Sequence, residues 1–407
     1  MEILFVHPNF PGQFRHIATA LSQMPGYRVI GVGDQSWMKE ENRLPDIPVI
    51  AYPPPGDSGL VLHAHARGFD AAVRRGHQVV STLAAYKQQG LEPDVIFVHP
   101  GWGDGYYLRD FFPGAKVVGL FEYYYHPRGA DVGFDPEFPS SFDDIFRLRT
   151  TNATQLLALD SCDHGFCPTN WQRNLFPEVW RPRLSLLHDG VDTNVVAPDP
   201  SAQVTLPDGT QLRAGDEVLT FVSRNLEPYR GYHIFMRALP EIMRARPQCH
   251  VVIVGGDGVS YGMRPKNGKS YRQQYLDEVA GDLDLSRVHF TGTLPYETYV
   301  KVLQVSRVHV YLTYPFILSW SMLEAMSAGC LVLGSATPPV EEVIRHGENG
   351  LLFPFLQPAR LAESAIEALA QPAVFEKLRA EARQTVLDAY DFDRVSLPGY
   401  LRLLGTQ

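Results

Sequence analysis

The chain has 407 residues, 45% of them apolar, which is more than one hydrophobic core usually serves and points to two domains. A net charge of −9 argues against a general nucleic-acid binder, which would be basic, so an anionic ligand needs a local basic site. No apolar run approaches the roughly 18 residues of a membrane span, and Cys162, Cys167, Cys249 and Cys330 are too scattered for a disulfide framework or a zinc site. Met1 leads straight into a strand without the basic and apolar segments of a secretory signal, so a cytoplasmic location is expected.

In the first half, short apolar runs at Ile3–Val6, Tyr27–Val32, Val49–Tyr52, Val95–His99, Lys116–Leu120, Gly165–Cys167 and Leu184–Leu187 alternate with helical or turn-rich segments. That alternation predicts a parallel, doubly wound sheet. The first strand empties into His7-Pro-Asn-Phe-Pro-Gly-Gln-Phe14, which puts Gly12 in a loop at a helix N-terminus where backbone can approach a ligand. Residues 60–89 read as a helix whose Arg67, Arg74, Arg75 and His77 form a solvated basic face, with contact to anionic lipid as the other reading. Residues 127–142 read as a mobile loop, and the proline-rich stretch 188–212 as a linker.

The second half repeats the pattern at Val218–Val222, Val251–Val254, Val288–Phe290, Val308–Leu312 and Leu331–Leu333. A helix over 232–246 carries one apolar stripe, from Ile234 and Phe235 to Ile242 and Met243. Two further helices, 359–370 and 373–390, precede a tail expected to pack back on the first domain. The expected division is 1–192, 193–385 and a tail of 386–407.

The basic element sits in Ser223-Arg224-Asn-Leu-Glu-Pro-Tyr-Arg230-Gly231, where two arginines flank a short loop before a helix. They suit a pyrophosphate, at about 1.5–3 kcal/mol for each charge-assisted bond. The alternative is a surface pairing with Glu227, which would contribute under about 1 kcal/mol. Further on, the strand Val308–Leu312 leads into Tyr314-Pro-Phe-Ile-Leu-Ser-Trp-Ser-Met-Leu-Glu-Ala-Met-Ser-Ala-Gly329, whose helix begins at Ser319 to Ser321. Free N–H groups in that first turn and the helix dipole favour phosphate. Glu324, one turn in, suits a diol. The same Ser321-x-x-Glu324 spacing also reads as a capping box that needs no ligand.

These segments resemble the retaining glycosyltransferases of glycosyltransferase family 4. SRNLEPYRG is similar to the family's Arg-x(4)-Lys-Gly element, with Arg230 for lysine and one extra residue; VVIVGGDG to its strand and glycine turn; HFTGTLP to its base-contacting segment; SMLEAMSAG to the second half of its Glu-x(7)-Glu motif. HDGVD and HPNFPGQF match more loosely. The resemblance implies a GT-B fold, two doubly wound Rossmann-like domains facing across a cleft, and a nucleoside-diphosphate sugar, UDP-linked by preference, as substrate. It implies that Arg224 and Arg230 bind the diphosphate, Leu294 meets the base, Glu324 holds the ribose, and backbone at Ser321, Met322 and Leu323 covers the distal phosphate, with Gly12 on the opposing loop. No metal or other cofactor is expected, because arginines and a helix dipole can neutralise the leaving diphosphate.

Two positions depart from the family. Phe316 stands where its first glutamate would be, and Ser319 and Trp320 replace a glycine-rich stretch. Glu122 stands roughly where the family has a histidine, with His126 following in the same loop and His99 at a strand end, so these three are the catalytic candidates. The implied activity is retaining transfer of a hexose to a hydroxyl of a sugar, glycan or glycolipid, with peripheral contact at the inner face of a membrane for a lipid-linked acceptor. Phe10, Trp102, Tyr106, Tyr107 and Tyr123 to Tyr125 offer stacking faces for it. Epimerase or hydrolase action on the donor, and donor binding without transfer, fit the same residues. A dehydrogenase does not, since no Gly-x-Gly-x-x-Gly opens either domain.

Overall fold

The computed structural model describes residues 1–40, 43–57 and 59–405. The chain forms two compact units, Val191–Asp391 and Met1–Gly190 together with the segment from Phe392. The crossing back to the first unit falls at 391/392 rather than 385/386, because the Glu376–Ala389 helix belongs to the second unit and Asp391 pairs there with Val191.

The first unit holds strands β1 (Glu2–Val6), β2 (Arg28–Asp34), β3 (Val49–Tyr52), β4 (Val95–Val98), β5 (Lys116–Leu120), β6 (His164–Cys167) and β7 (Leu184–Leu186). They form one parallel sheet in the order β3-β2-β1-β4-β5-β6-β7. The central strands are apolar throughout because both faces are covered. Chain order runs outward from β1 to β3 and then restarts at β4, so the switch point lies between the carboxyl ends of β1 and β4. From the C-terminal segment, Phe392, Tyr400 and Leu404 join Ile3, Phe5 and Phe97 in this core, with the Tyr400 ring 5.5 Å from Phe166.

Two local expectations change. Arg75 is not on a solvated face: it is buried and donates to Asp34 at 2.7 Å, while Arg74 pairs with Asp70. Residues 127–142 are a largely exposed loop anchored at buried Ala130, Asp131 and Asp135, with the Tyr123 hydroxyl donating to Asp131 at 2.8 Å.

The second unit begins with a hairpin, β8 (Gln203–Thr205) and β9 (Gln211–Arg213), inside the stretch read as a linker. Ala202, Val204, Leu206 and Leu212 bury against Val252, Val254 and Val302, and that apolar seal makes the stretch part of the domain. Then come β10 (Val218–Asn225), β11 (His250–Gly256), β12 (Val288–Gly292), β13 (Val308–Tyr311), β14 (Leu331–Ser335) and the short β15 (Leu351–Phe353). Their parallel order is β12-β11-β10-β13-β14-β15, which sets the switch point between β10 and β13. Helix Tyr232–Ala245 packs against Pro358–Ala370, and Trp320–Ser327 against Glu376–Ala389. All four cysteines are buried and free. Among the described residues no helix is long and apolar enough to cross a membrane.

Candidate active site

The loops after β10 and β13 meet at the second unit's switch point, and Arg230 joins them. Its Nη1 donates to Thr313 Oγ1 at 2.9 Å, to the Ile317 carbonyl at 2.8 Å and to the Tyr311 hydroxyl at 3.2 Å, and the guanidinium lies 5.1 Å from the Tyr261 ring centre. Gly231, at φ +68°, lets the backbone turn tightly there, since a Cβ would collide with Leu312. Arg230 is 6% exposed and, among the described residues, every group it meets within hydrogen-bond distance is neutral. The Glu227 charge acts on this cation through space without a hydrogen bond to it, so the guanidinium is left able to take a bound anion.

The alternative, a surface pairing with Glu227, does not occur among the described residues. Glu227 is fully buried and accepts the backbone N–H groups of Ser260, Tyr261 and Gly262 at 2.9–3.2 Å, which folds the 257–270 loop over the switch point. Arg224 is exposed and makes no ion pair among the described residues. Phe316 is buried, with its ring 4.9 Å from Tyr261 and 5.4 Å from Tyr229, so an aromatic cluster occupies the position of the family's first glutamate.

The Ser321–Glu324 capping box is not formed. The helix is Trp320–Ser327, its N-cap is Ser319, and no side chain caps it. A complete box does occur at Ser141 and Asp144, whose side chains exchange bonds with each other's backbone N–H. Glu324 instead accepts the Tyr296 hydroxyl on Oε1 at 2.8 Å and the Tyr299 hydroxyl on Oε2 at 2.7 Å. Burial and this carboxylate push the Tyr299 phenol well above its ordinary range, so it stays a donor. Met322 and Leu323 turn their side chains into the core, leaving only backbone to offer a ligand. At the helix entry Ser319 N–H is taken by the Tyr311 hydroxyl at 2.7 Å, while Ser321 N–H has no partner among the described residues. Trp320 is 44% exposed beside it, and Leu294 is half-buried against the core under β12.

The first unit also gathers polar groups at its switch point. His7 follows β1, His99 follows β4 and Glu122 follows β5, the next strand along the sheet. Asn9 N–H donates to His7 Nδ1 at 2.9 Å, so the His7 proton is on Nε2, which donates to Gln13 Oε1 at 2.9 Å. Gln13 Nε2 donates in turn to Glu122 Oε1 at 2.8 Å, and His99 Nε2 donates to Glu122 Oε2 at 2.9 Å. Burial alone would raise the Glu122 carboxyl. The bond and charge of His99, with help from Gln13 and His7, overcome it and hold the group below its ordinary 4.5. The His99 Nδ1 is buried without a partner. His126 stands apart, with Nε2 bonded to the Leu175 carbonyl at 2.7 Å.

Gly12 bears on this cluster through His7. A Cβ at Gly12 would lie 2.5 Å from the His7 ring, and φ is +49°. Gly12→Ala is expected to cost about 1–3 kcal/mol, a melting-temperature fall of roughly 4–8 °C in calorimetry. An unchanged melting temperature would show that His7 can turn aside freely.

Residues that sequence reading missed here are His7, Gln13, Tyr296, Tyr299 and the loop-organising role of Glu227. A hollow of about 320 Å³ in the second unit, lined by Pro198, Gln304, Arg307 and Arg379 among others, opens at the amino ends of the strands and contains none of the candidate residues.

Two parallel-sheet α/β units with polar loops gathered at their carboxyl edges define the GT-B architecture. Over all of both chains, the structure is similar to Anabaena Alr3699/HepE in complex with UDP and glucose (TM-score 0.67, 17% identity) and to sucrose-phosphate synthase of Thermosynechococcus elongatus (TM-score 0.71, 18% identity). The profile described as "Glycosyl transferase family 4 group" matches residues 32–196, and that described as "Glycosyl transferases group 1" matches 206–385. The chain belongs to the glycosyltransferase family 4 group. A curated relative, the D-inositol 3-phosphate glycosyltransferase of Acidothermus cellulolyticus, is 28% identical over 49% of this chain but only 42% of its own length. Another, the GDP-mannose-dependent alpha-(1-6)-phosphatidylinositol monomannoside mannosyltransferase of Mycobacterium tuberculosis, is 25% identical over 71% of this chain and 72% of its own.

Proposed function

We propose that the protein is a retaining, metal-independent glycosyltransferase that moves a hexose from a nucleoside-diphosphate sugar, a UDP-sugar in the first instance, to a hydroxyl of a sugar, glycan or lipid-linked sugar. The supporting observation is Arg230, a buried cation with neutral hydrogen-bond partners at the switch point, with the exposed Arg224 at the end of β10 and the Ser321 N–H in the first turn of helix Trp320–Ser327. These would bind the diphosphate and stabilise it as a leaving group. Glu324, held by Tyr296 and Tyr299, keeps lone pairs for ribose hydroxyls. The bond from the anomeric carbon to the phosphate oxygen breaks, the bond to the acceptor oxygen forms on the same face, and the acceptor proton passes to the departing phosphate.

The test is a thermal-shift panel of UDP, GDP, ADP and TDP and their glucose forms, on wild type and Arg224→Ala. Ligand at about 100 times its Kd should contribute roughly 2.7 kcal/mol, a shift of a few degrees, for one base only and weaker in the variant. No shift from any nucleotide would falsify the donor site. The aromatic cluster around Phe316 favours one further reading, donor hydrolysis without an acceptor, which release of free sugar in the same samples would reveal.

A further inference from the structure

Trp37, after β2, and Trp102, after β4, are 41% and 38% exposed. Single exposed aromatics are ordinary and need no explanation. These two form a pair, with ring centres 5.8 Å apart at 77°, and each is fixed from behind. Trp102 lies on His99 at 4.4 Å and 25°, with its edge toward His7 at 5.8 Å. Behind Trp37 is the Arg75 guanidinium, 4.8 Å from the ring centre. Arg75 is itself locked by Asp34 at 2.7 Å and the Tyr52 hydroxyl at 3.3 Å, and Tyr52 donates to the buried Asp104. Two exposed indoles held this way lose little freedom when a ligand arrives.

We propose that Trp37 and Trp102 form a platform on which a pyranose ring of the acceptor stacks, with its hydroxyl edge turned to the Glu122 carboxylate. A pyranose has an apolar C–H face and a polar rim. The indoles match the first, and the second meets Glu122, whose side chain remains 18% exposed while His99 and Gln13 hold it. An acyclic polyol has no such face and an inorganic anion no use for it. The assignment rests on the transferase reading and deepens it, by making a sugar ring the acceptor group bound at the first unit.

The experiment uses the full chain without donor. Methyl α-D-glucopyranoside, methyl α-D-mannopyranoside and methyl β-D-galactopyranoside are compared with sorbitol by saturation-transfer NMR and tryptophan fluorescence, on wild type, Trp37→Ala and Trp37→Phe. At least one pyranoside should receive saturation on its ring C–H protons while sorbitol receives none. Trp37→Ala should weaken it by about tenfold, with Trp37→Phe retaining most of the affinity. Melting temperatures check folding, and Trp37→Phe keeps the test decisive if the alanine variant unfolds. Binding of no pyranoside, equal binding of sorbitol, or wild-type affinity in folded Trp37→Ala overturns the platform. A titration of the same wild-type samples with UDP, GDP, ADP and TDP separates the two failures: binding of any nucleotide without sugar binding rejects the platform alone, and binding of none of the four rejects the transferase reading.

Discussion

Arg230→Lys should bind nucleoside diphosphate about 10- to 100-fold more weakly than wild type, with Arg230→Met showing no measurable binding in calorimetric titration. Lysine keeps the charge but not the fork. One guanidinium now clips Thr313, Tyr311 and Ile317 together through Nη1 and leaves its remaining N–H groups for an anion. Losing one charge-assisted bond costs about 1.5–3 kcal/mol, which gives that range. Methionine removes the charge and also takes a donor from the buried Thr313 hydroxyl and the part-buried Ile317 carbonyl. An unsatisfied buried acceptor costs about 1–3 kcal/mol, so the melting temperature should fall by several degrees as well. Arg224 separates the two roles. It is exposed and makes no ion pair among the described residues, so Arg224→Ala should lose about tenfold or more in affinity with its melting temperature unchanged. Wild-type nucleotide affinity in Arg230→Lys would mean that Arg230 is a clip between loops and the anion is held elsewhere.

The sheets were legible because parallel strands buried on both faces are continuous apolar runs, and their alternation with helices leaves few other folds. Strand β15 escaped because Leu351–Phe353 sits between the turn residues Gly347-Glu-Asn-Gly350 and Pro354, and the β8–β9 hairpin because its turn residues resemble those of a linker. The alternation of Ala202, Val204 and Leu206 was the signal available for it. In the site, Arg224, Arg230 and Glu324 could be picked out by residue type and spacing, yet their partners could not. Tyr296 and Tyr299 meet Glu324 from another helix, 28 and 25 positions away, and Gln13 meets Glu122 across 109. Such pairings depend on strand order, which spacing along the chain does not encode. Glu227 is the clearest instance: beside two arginines in sequence it reads as their partner, but its carboxylate satisfies three N–H groups of the next loop.

The other large effect is expected at Glu122, and its sign follows from the depressed carboxyl. A carboxyl held below its ordinary 4.5 in the folded chain stabilises the fold above that value, and the contribution is lost as pH falls through the folded value. Glu122→Gln is nearly isosteric and can still accept from His99, but its amide puts a donor where Gln13 now donates, so one charge-assisted bond becomes neutral and the other is lost. At about 1 kcal/mol for each, the variant should be about 2 kcal/mol less stable at neutral pH, a fall of roughly 4–8 °C in melting temperature. The gap between wild type and variant should begin to shrink as pH drops below 4.5 and close once pH passes the lower folded value, where both carry an uncharged side chain. Activity should follow the same group. If the Glu122 carboxylate orients the acceptor hydroxyl, kcat/KM falls by about a hundredfold without vanishing, because the leaving phosphate takes the proton. The acid limb of the wild-type pH profile should be absent in Glu122→Gln. A variant that keeps that limb, with kcat/KM near wild type, would reduce Glu122 to a structural brace between His99 and Gln13.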